Sequence, residues 1–141
     1  MTFQDDLANA ESRARGAVFH HYSRVAGKTK YLVTLNHIWP PDDGLVVYAF
    51  TTSNVEHFRR ARIPEESIVR LDEGDYEFVT VPTVIDLTRP EVEQLSAIVG
   101  APAFRFLVQL RLEHLQAIDE SVRASPFISR KDKKRILKSY D

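Results

Sequence analysis

The stretch Leu45-Val46-Val47-Tyr48-Ala49-Phe50 is continuously apolar. A strand that is apolar at every position is covered on both of its faces, so this stretch predicts a buried central strand. Hydroxyl and amide side chains follow it directly, in Thr51-Thr52-Ser53-Asn54. A polar cluster is therefore expected at the end of the most buried strand of the protein.

Short β-rich segments separated by turn residues surround this strand. They are predicted at residues 17–22, 30–36, 45–52, 67–71, 77–81 and 83–87, and Gly, Pro and Asp residues mark the loops between them. Six short strands with tight connections and no intervening helix indicate a small antiparallel barrel or a strongly curved sheet. The fold class that we predict is α+β, with a small antiparallel β-barrel followed by C-terminal helices.

The change from strands to helices is marked by Thr88-Arg89-Pro90-Glu91, in which a cap Thr, a first-turn Pro and a Glu form a capping box. Apolar residues at helical spacing predict a helix up to Gly100, a longer one from Pro102 to Ser125, and a short basic one from Ser129. We predict a single domain at residues 16–141, with a β core at 16–87 and helices at 88–141. A short or frayed helix at residues 1–15 precedes it.

The composition is that of one ordinary soluble domain: 141 residues, 43% hydrophobic and 28% charged. The absence of cysteine excludes a disulfide scaffold, a thiolate zinc site and a cysteine nucleophile. No apolar run approaches the roughly 18 residues of a membrane span, and the N-terminus is polar, so we expect a cytoplasmic protein. The net charge of −1 hides seven Lys and Arg against two Asp in residues 122–141, a basic tail on an acidic body.

The five histidines do not form a recognisable metal site. His20 and His21 are neighbours on a predicted strand, so their side chains face opposite sides of the sheet, and no His-x-His or His-Glu-x-x-His spacing occurs. Gly27-Lys28-Thr29 lacks the upstream Gly and the following helix of a phosphate-binding loop. We therefore expect no metal and no cofactor.

A pocket of cations and hydroxyls is the constellation that could carry chemistry. The hydroxyls of Thr51, Thr52 and Ser53 can donate hydrogen bonds to a phosphate or to a transition-state anion. Three cations, Arg24, Lys28 and Lys30, lie in the first long loop or at the start of the next strand. If the two strand ends are adjacent, these groups form a pocket suited to a phosphodiester. The alternative is that Ser53 or Asn54 only caps a short helix that follows.

Several segments resemble the opening of the MazF/PemK-family toxins. They are Gly16-Ala17-Val18-Phe19, the loop that ends in Gly27-Lys28-Thr29-Lys30, the strand Tyr31-Leu32-Val33-Thr34-Leu35, and Val46-Val47-Tyr48-Ala49-Phe50-Thr51-Thr52-Ser53. Thr83-Val84-Ile85-Asp86-Leu87, followed by a helix, is similar to the family's late strand and terminal helix. The resemblance covers residues 16–99. Lys30-Tyr31 stands where the family has Arg-Pro, and Ala17 stands where it has an acidic residue.

The resemblance implies a compact SH3-like barrel, usually a homodimer, that cleaves single-stranded RNA without a metal and is inhibited by a small antitoxin protein. In such an endoribonuclease the ribose 2′-hydroxyl attacks the adjacent phosphate. Carried over to this chain, Lys30 or Lys28 would be the cation that stabilises the pentavalent transition state. Thr52 with Ser53 would supply the hydroxyls that hold it.

Further cations are candidates for binding RNA through its phosphates: Arg24, Arg59, Arg60 and Arg62, together with the basic tail, while Thr51 lies beside the proposed catalytic hydroxyls. The same charges can instead pair with neighbouring acidic residues or remain solvated. Two other functions stay open, a catalytically inactive interaction module with the same barrel and an RNA-binding regulator. The partners that we expect are RNA, a small antitoxin and a second copy of the chain, with no membrane.

Overall fold

The computed structural model describes residues 15–23, 28–36, 44–99 and 104–137. The described strands are β1 (Ala17–Ser23), β2 (Lys28–Thr34), β3 (Leu45–Thr52), β4 (Ile68–Leu71), β5 (Thr83–Asp86), β6 (Glu91–Gln94) and β7 (Arg105–Gln109). The described helices are α1 (Val55–Arg60), α2 (Leu95–Val99), α3 (Leu112–Ala124) and α4 (Arg130–Leu137), and a 3-10 turn covers Glu65–Ser67. The chain is thus α+β, with an antiparallel sheet and C-terminal helices. Among the described residues, none of the helices combines the length and the apolar character needed to cross a bilayer.

The strands pair in the order β4-β5-β3-β2-β1-β7, all antiparallel, and β6 also pairs with β3. One edge of β3 carries β2, whereas the other edge carries β6 along its first half and β5 along its second. Between β5 and β6 the chain leaves the ladder, where the N–H of Leu87 donates to Ser67 O at 3.1 Å and the N–H of Thr88 donates to Asp86 Oδ1 at 2.9 Å. Within the described residues β4 and β7 do not pair with each other, so the sheet is open between them.

Two apolar clusters cover the two faces of β3. Val47 and Ala49 belong to the larger cluster, which α3 and α4 complete with Ile118 and Ile136. Val46 and Tyr48 belong to the second cluster, with Phe19, Leu32 and Ile98. The four β3 residues are 2% exposed or less. The prediction of a central strand buried on both faces is therefore confirmed.

The predicted helices after Thr88 are wrong in their first parts. Residues 91–94 form β6, because four ladder pairs with the central strand outweigh the local capping box. Residues 105–109 form β7, in which Phe106 packs at 5.7 Å on Phe19. Helix α3 begins at Leu112 rather than at Pro102, and it ends before Ser125-Pro126 as predicted. Helix α4 begins as predicted, with Ser129 Oγ accepting from the N–H of Asp132 at 3.1 Å.

The predicted strand at 77–81 is also wrong, because these residues form the end of a turn and the irregular backbone that follows it. The N–H of Val79 donates to Tyr76 O and that of Gly74 donates to Val79 O, both at 2.9 Å. The turn closes on itself instead of pairing in the sheet. The predicted N-terminal helix lies outside the described residues, apart from Arg15.

Arg15 and Gly16 fix the start of β1 to its surroundings. The buried Arg15 guanidinium pairs with Asp119, with Nη1 and Oδ1 at 2.5 Å. Gly16 adopts a φ of +84°, its N–H donates to Thr34 O at 2.7 Å, and its carbonyl accepts from the N–H of Leu110 at 3.0 Å. Arg15 thereby joins the start of β1 to α3, and Gly16 joins it to β2 and to the residue that follows β7.

Candidate functional site

An open cleft of about 280 Å³ lies where β2 begins, β3 ends and β5 begins. Its lining residues come from these three strand ends and from the turn before β5: Lys30, Tyr31, Thr51, Thr52, Ser53, Phe78, Thr80, Val81 and Thr83. The cleft therefore brings together Lys30 and the hydroxyl cluster that the sequence singles out.

The register of the sheet explains this meeting of residues. Leu32 pairs with Phe50, so the same antiparallel register, continued by two residues, sets Lys30 opposite Thr52. Thr52 pairs with Val84 on the other edge of β3, which brings Thr83 level with Ser53. The strand pairing thus creates the site, because the start of β2, the end of β3 and the start of β5 lie at the same end of the sheet.

The chemistry of the lining is cationic and rich in hydroxyls. Lys30 supplies an ammonium group, and four threonines, one serine and Tyr31 supply hydroxyls. None of the described residues that line the cleft is acidic, so no described carboxylate in its wall repels an anion. Lys30 Nζ lies 5.6 Å from the centre of the Phe50 ring, a cation–π contact that orients the ammonium. Such a lining suits a phosphate group.

The hydroxyls differ in how they are engaged. Thr52 Oγ1 accepts from the N–H of Asn54 at 3.1 Å, and this bond leaves its own hydrogen available for donation. Thr83 Oγ1 donates to Val81 O at 2.8 Å. Helix α1 begins after Asn54, but no side-chain cap hydrogen bond forms there. Asn54 thus occupies the N-cap position of the short helix that the alternative predicts, but its side chain makes no cap hydrogen bond.

Lys30 and Tyr31 lie on opposite faces of the sheet. Lys30 shares its face with His21, its partner in β1, and with Phe50. The His21 ring is stacked on Phe50 with 6.3 Å between the ring centres, and burial lowers the pKa of His21. Tyr31 lies on the face of His20. At the end of the ladder the cleft takes lining residues from both faces.

The turn that forms one wall of the cleft is anchored to α3 through Tyr76. The N–H of Arg111 donates to the Tyr76 hydroxyl oxygen at 2.7 Å, so the phenol hydrogen is free to go to His114 Nδ1 at 2.6 Å. The other ring nitrogen of His114, Nε2, faces Asp75 Oδ2 at 3.7 Å. Burial raises the pKa of Tyr76, which keeps the phenol protonated. This network holds the turn that carries Phe78 and Thr80.

We expect Tyr76→Phe to lower the free energy of unfolding by about 1–3 kcal/mol, because it leaves the Arg111 N–H and His114 Nδ1 without their buried partner. Urea denaturation measures the change. The control is Tyr31→Phe, which removes a phenol hydroxyl at the open cleft. A Tyr76→Phe protein as stable as the control would contradict the anchoring role.

The predicted RNA-binding residues Arg59, Arg60 and Arg62 lie outside the cleft lining. Arg59 and Arg60 are exposed on α1 and lie 3.8 and 3.7 Å from the Glu56 carboxylate. Arg62 is exposed just beyond α1, with a φ of +56°. Arg24 and the side chain of Lys28 lie outside the described residues. Of the predicted cations whose side chains are described, Lys30 is thus the one that lines the cleft.

Sequence reasoning missed the wall formed by Phe78, Thr80, Val81 and Thr83. Its turn is held by Tyr76 against a helix far along the chain, a contact that leaves no local sequence signal. Of these four residues, Thr83 has one indication in the sequence, because it lies at the start of a predicted strand.

Among the described residues there is no group of three or more His, Cys, Asp or Glu side chains that could hold a metal ion. Compared with known protein families, with curated proteins and with solved structures, the chain matches none.

Proposed function

We propose that this protein is an endoribonuclease of the MazF/PemK type that cleaves single-stranded RNA in the cleft without a metal. The observation that carries the proposal is the meeting of Lys30 with Thr51, Thr52 and Ser53 at one open cleft. The SH3-like barrel is part of the proposal. It is supported by the division of one edge of β3 between β6 and β5, since a strand shared in this way bends the sheet.

The proposed reaction is an attack of the ribose 2′-oxygen on the adjacent phosphorus. The bond from phosphorus to the 5′-oxygen breaks, which leaves a 2′,3′-cyclic phosphate on one product and a 5′-hydroxyl on the other. The 2′-proton passes to solvent, and the leaving 5′-oxygen takes a proton from solvent. The Lys30 ammonium stabilises the charge that develops on the phosphoryl oxygens, and the Thr52 and Ser53 hydroxyls donate to those oxygens.

The proposed partners follow the same resemblance. RNA is the substrate, a small antitoxin protein is the inhibitor, and the active form is a homodimer in the cytoplasm. Co-purification with the product of the neighbouring gene, and the mass of the isolated protein in solution, test the second and third of these.

The test of the proposed function is incubation of the purified protein with a mixed-sequence single-stranded RNA in the presence of EDTA, followed by mapping of the ends. New 2′,3′-cyclic phosphate ends are expected, and a 2′-deoxy substitution at a mapped site should block cleavage there. Intact RNA after incubation, or cleavage of the deoxy-substituted site, would refute the proposed reaction.

One observation favours a second candidate, a catalytically inactive RNA-binding module. None of the described lining residues is a carboxylate or an imidazole that could accept the 2′-proton. The same cleft would then bind a phosphate without breaking it. Binding of RNA together with the absence of new ends in the experiment above would favour this module.

The basic helix α4 supplies a further prediction about RNA binding. Lys131 and Lys134 lie on it and can face RNA, whereas Ile136 is fully buried in the core, so a deletion of the helix would also damage the fold. We expect Lys131→Gln with Lys134→Gln to reduce the slope of log K against log salt by about 0.7 for each phosphate that these lysines neutralise. Fluorescence anisotropy with labelled RNA measures it. An unchanged slope would exclude α4 from the RNA-binding surface.

A further inference from the structure

A row of side chains crosses the sheet beside the cleft. His20 pairs with Tyr31 in β2 and with Arg105 in β7, and Cα partners of antiparallel strands share a face. The register of β2 and β3, continued by one residue beyond the Leu32–Phe50 pair, sets Tyr31 opposite Thr51. Arg105, His20, Tyr31 and Thr51 therefore form one row across four strands, and its last two members line the cleft.

The middle of this row is aromatic. The rings of His20 and Tyr31 lie 5.5 Å apart between centres, and those of Tyr31 and Phe78 lie 5.0 Å apart. Phe78 also lines the cleft, so the rings run from the cleft wall outward along the sheet. Single-stranded nucleic acids bind to such aromatic platforms because every base can stack on them.

The outer end of the row is cationic. Arg105 is exposed, and no ion pair within the described part of the chain involves it. Neighbouring strands are about 4.8 Å apart, so Arg105 lies about 10 Å from Tyr31 across two strand spacings. A phosphate next to a base stacked on the rings can therefore reach the guanidinium.

The geometry points to a second RNA subsite, formed by Tyr31, His20 and Arg105 next to the cleft. A base adjoining the cleaved phosphodiester stacks on the Tyr31 and His20 rings, and the next phosphate pairs with Arg105. This inference rests on the proposed function, because it takes the cleft as the place where RNA is bound. It also separates the roles of the two adjacent histidines, since His21 is buried on the opposite face against Phe50.

The test measures binding apart from cleavage. The probes are a fluorescein-labelled octamer of 2′-O-methyl uridine, which lacks the 2′-hydroxyl that the reaction needs, and an octamer with the same backbone and no bases. We expect His20→Ala to weaken binding of the uridine octamer about five- to tenfold and to leave binding of the abasic chain unchanged. We expect Arg105→Gln to weaken binding of both and to reduce the salt slope by about 0.7.

Two variants serve as matched controls. Arg89→Gln removes the same charge from an exposed position outside the row, and Arg105→Lys keeps the charge at the outer end. Both should retain the salt slope of the wild type. Thermal unfolding of each variant, with His20→Gln as a second substitution at that position, separates a loss of binding from a loss of fold.

The outcomes separate this inference from the proposed function. Equal wild-type affinity for the two octamers, or equal behaviour of Arg105→Gln and Arg89→Gln, would overturn the subsite even if RNA is cleaved. A wild type that shows the expected binding responses but leaves unmodified RNA intact would overturn the nuclease and support the subsite. A wild type that binds neither octamer at low salt would overturn both.

Discussion

Removing the charge of Lys30 and the hydroxyl of Thr52 together is expected to slow RNA cleavage about a thousandfold or more. A single preorganised hydrogen-bond donor to a transition-state anion raises the rate by a factor of about 10² to 10³. Lys30 is the cation in the described lining of the cleft, so its charge contributes in addition to the Thr52 hydroxyl. Lys30→Met keeps a long unbranched side chain without the ammonium that lies over Phe50, and Thr52→Val keeps the branched shape of the side chain. Single-turnover rates on end-labelled RNA measure the effect.

The two single variants should each lose most of this rate, because groups that act on one transition state are not additive. Lys30→Arg and Thr52→Ser keep the charge and the hydroxyl, and we expect both to remain active; the planar fork of arginine suits a phosphoryl group at least as well. The control pair is Arg89→Gln with Ser96→Ala, an exposed cation and an exposed hydroxyl outside the cleft lining. Cleavage by the double variant within a few-fold of the control would rule out this site.

Much of the sheet and part of the candidate site are predictable from the sequence. The predicted positions of β1 to β5 agree with the structure to within two residues at each end. Apolar stretches separated by turn residues are strong strand signals, and this is why the continuous run in β3 also predicts burial on both faces. Lys30 lies near the start of β2 and Thr52 ends β3, and the two meet because antiparallel neighbours bring the start of one strand beside the end of the next.

The remaining elements depend on contacts that are distant in sequence. Strand β6 is exposed at all four positions, so it has no apolar alternation, and its capping box favours a helix. The apolar residues of β7 join those of α3 in one apparent helical stripe, and only their packing on β1 separates them. Long-range pairing overrides local preference in both cases.

The second large expected effect concerns stability. We expect Gly16→Ala to lower the free energy of unfolding by about 3 kcal/mol, as the sum of about 1–2 kcal/mol for a left-handed alanine and about 1–3 kcal/mol for overpacking. A Cβ at Gly16 would overlap Leu115 Cδ2 and would lie 3.0 Å from Gln109 Nε2. The backbone cannot move aside without cost, because both its N–H and its carbonyl are hydrogen-bonded to neighbouring segments of the chain. Urea denaturation of wild type and variant measures the difference.

A second glycine separates the two causes. Gly74 has a φ of +86°, close to the +84° of Gly16, but a Cβ there would meet nothing within 4 Å. Gly74→Ala should therefore show the conformational cost alone, about 1–2 kcal/mol. The excess in Gly16→Ala measures the collision with Leu115, and Leu115→Ala in the same chain should remove most of that excess in a double-mutant cycle. Equal losses for the two glycine variants, or a cycle without coupling, would show that the approach of β1 to α3 is looser than the contact at Gly16 implies.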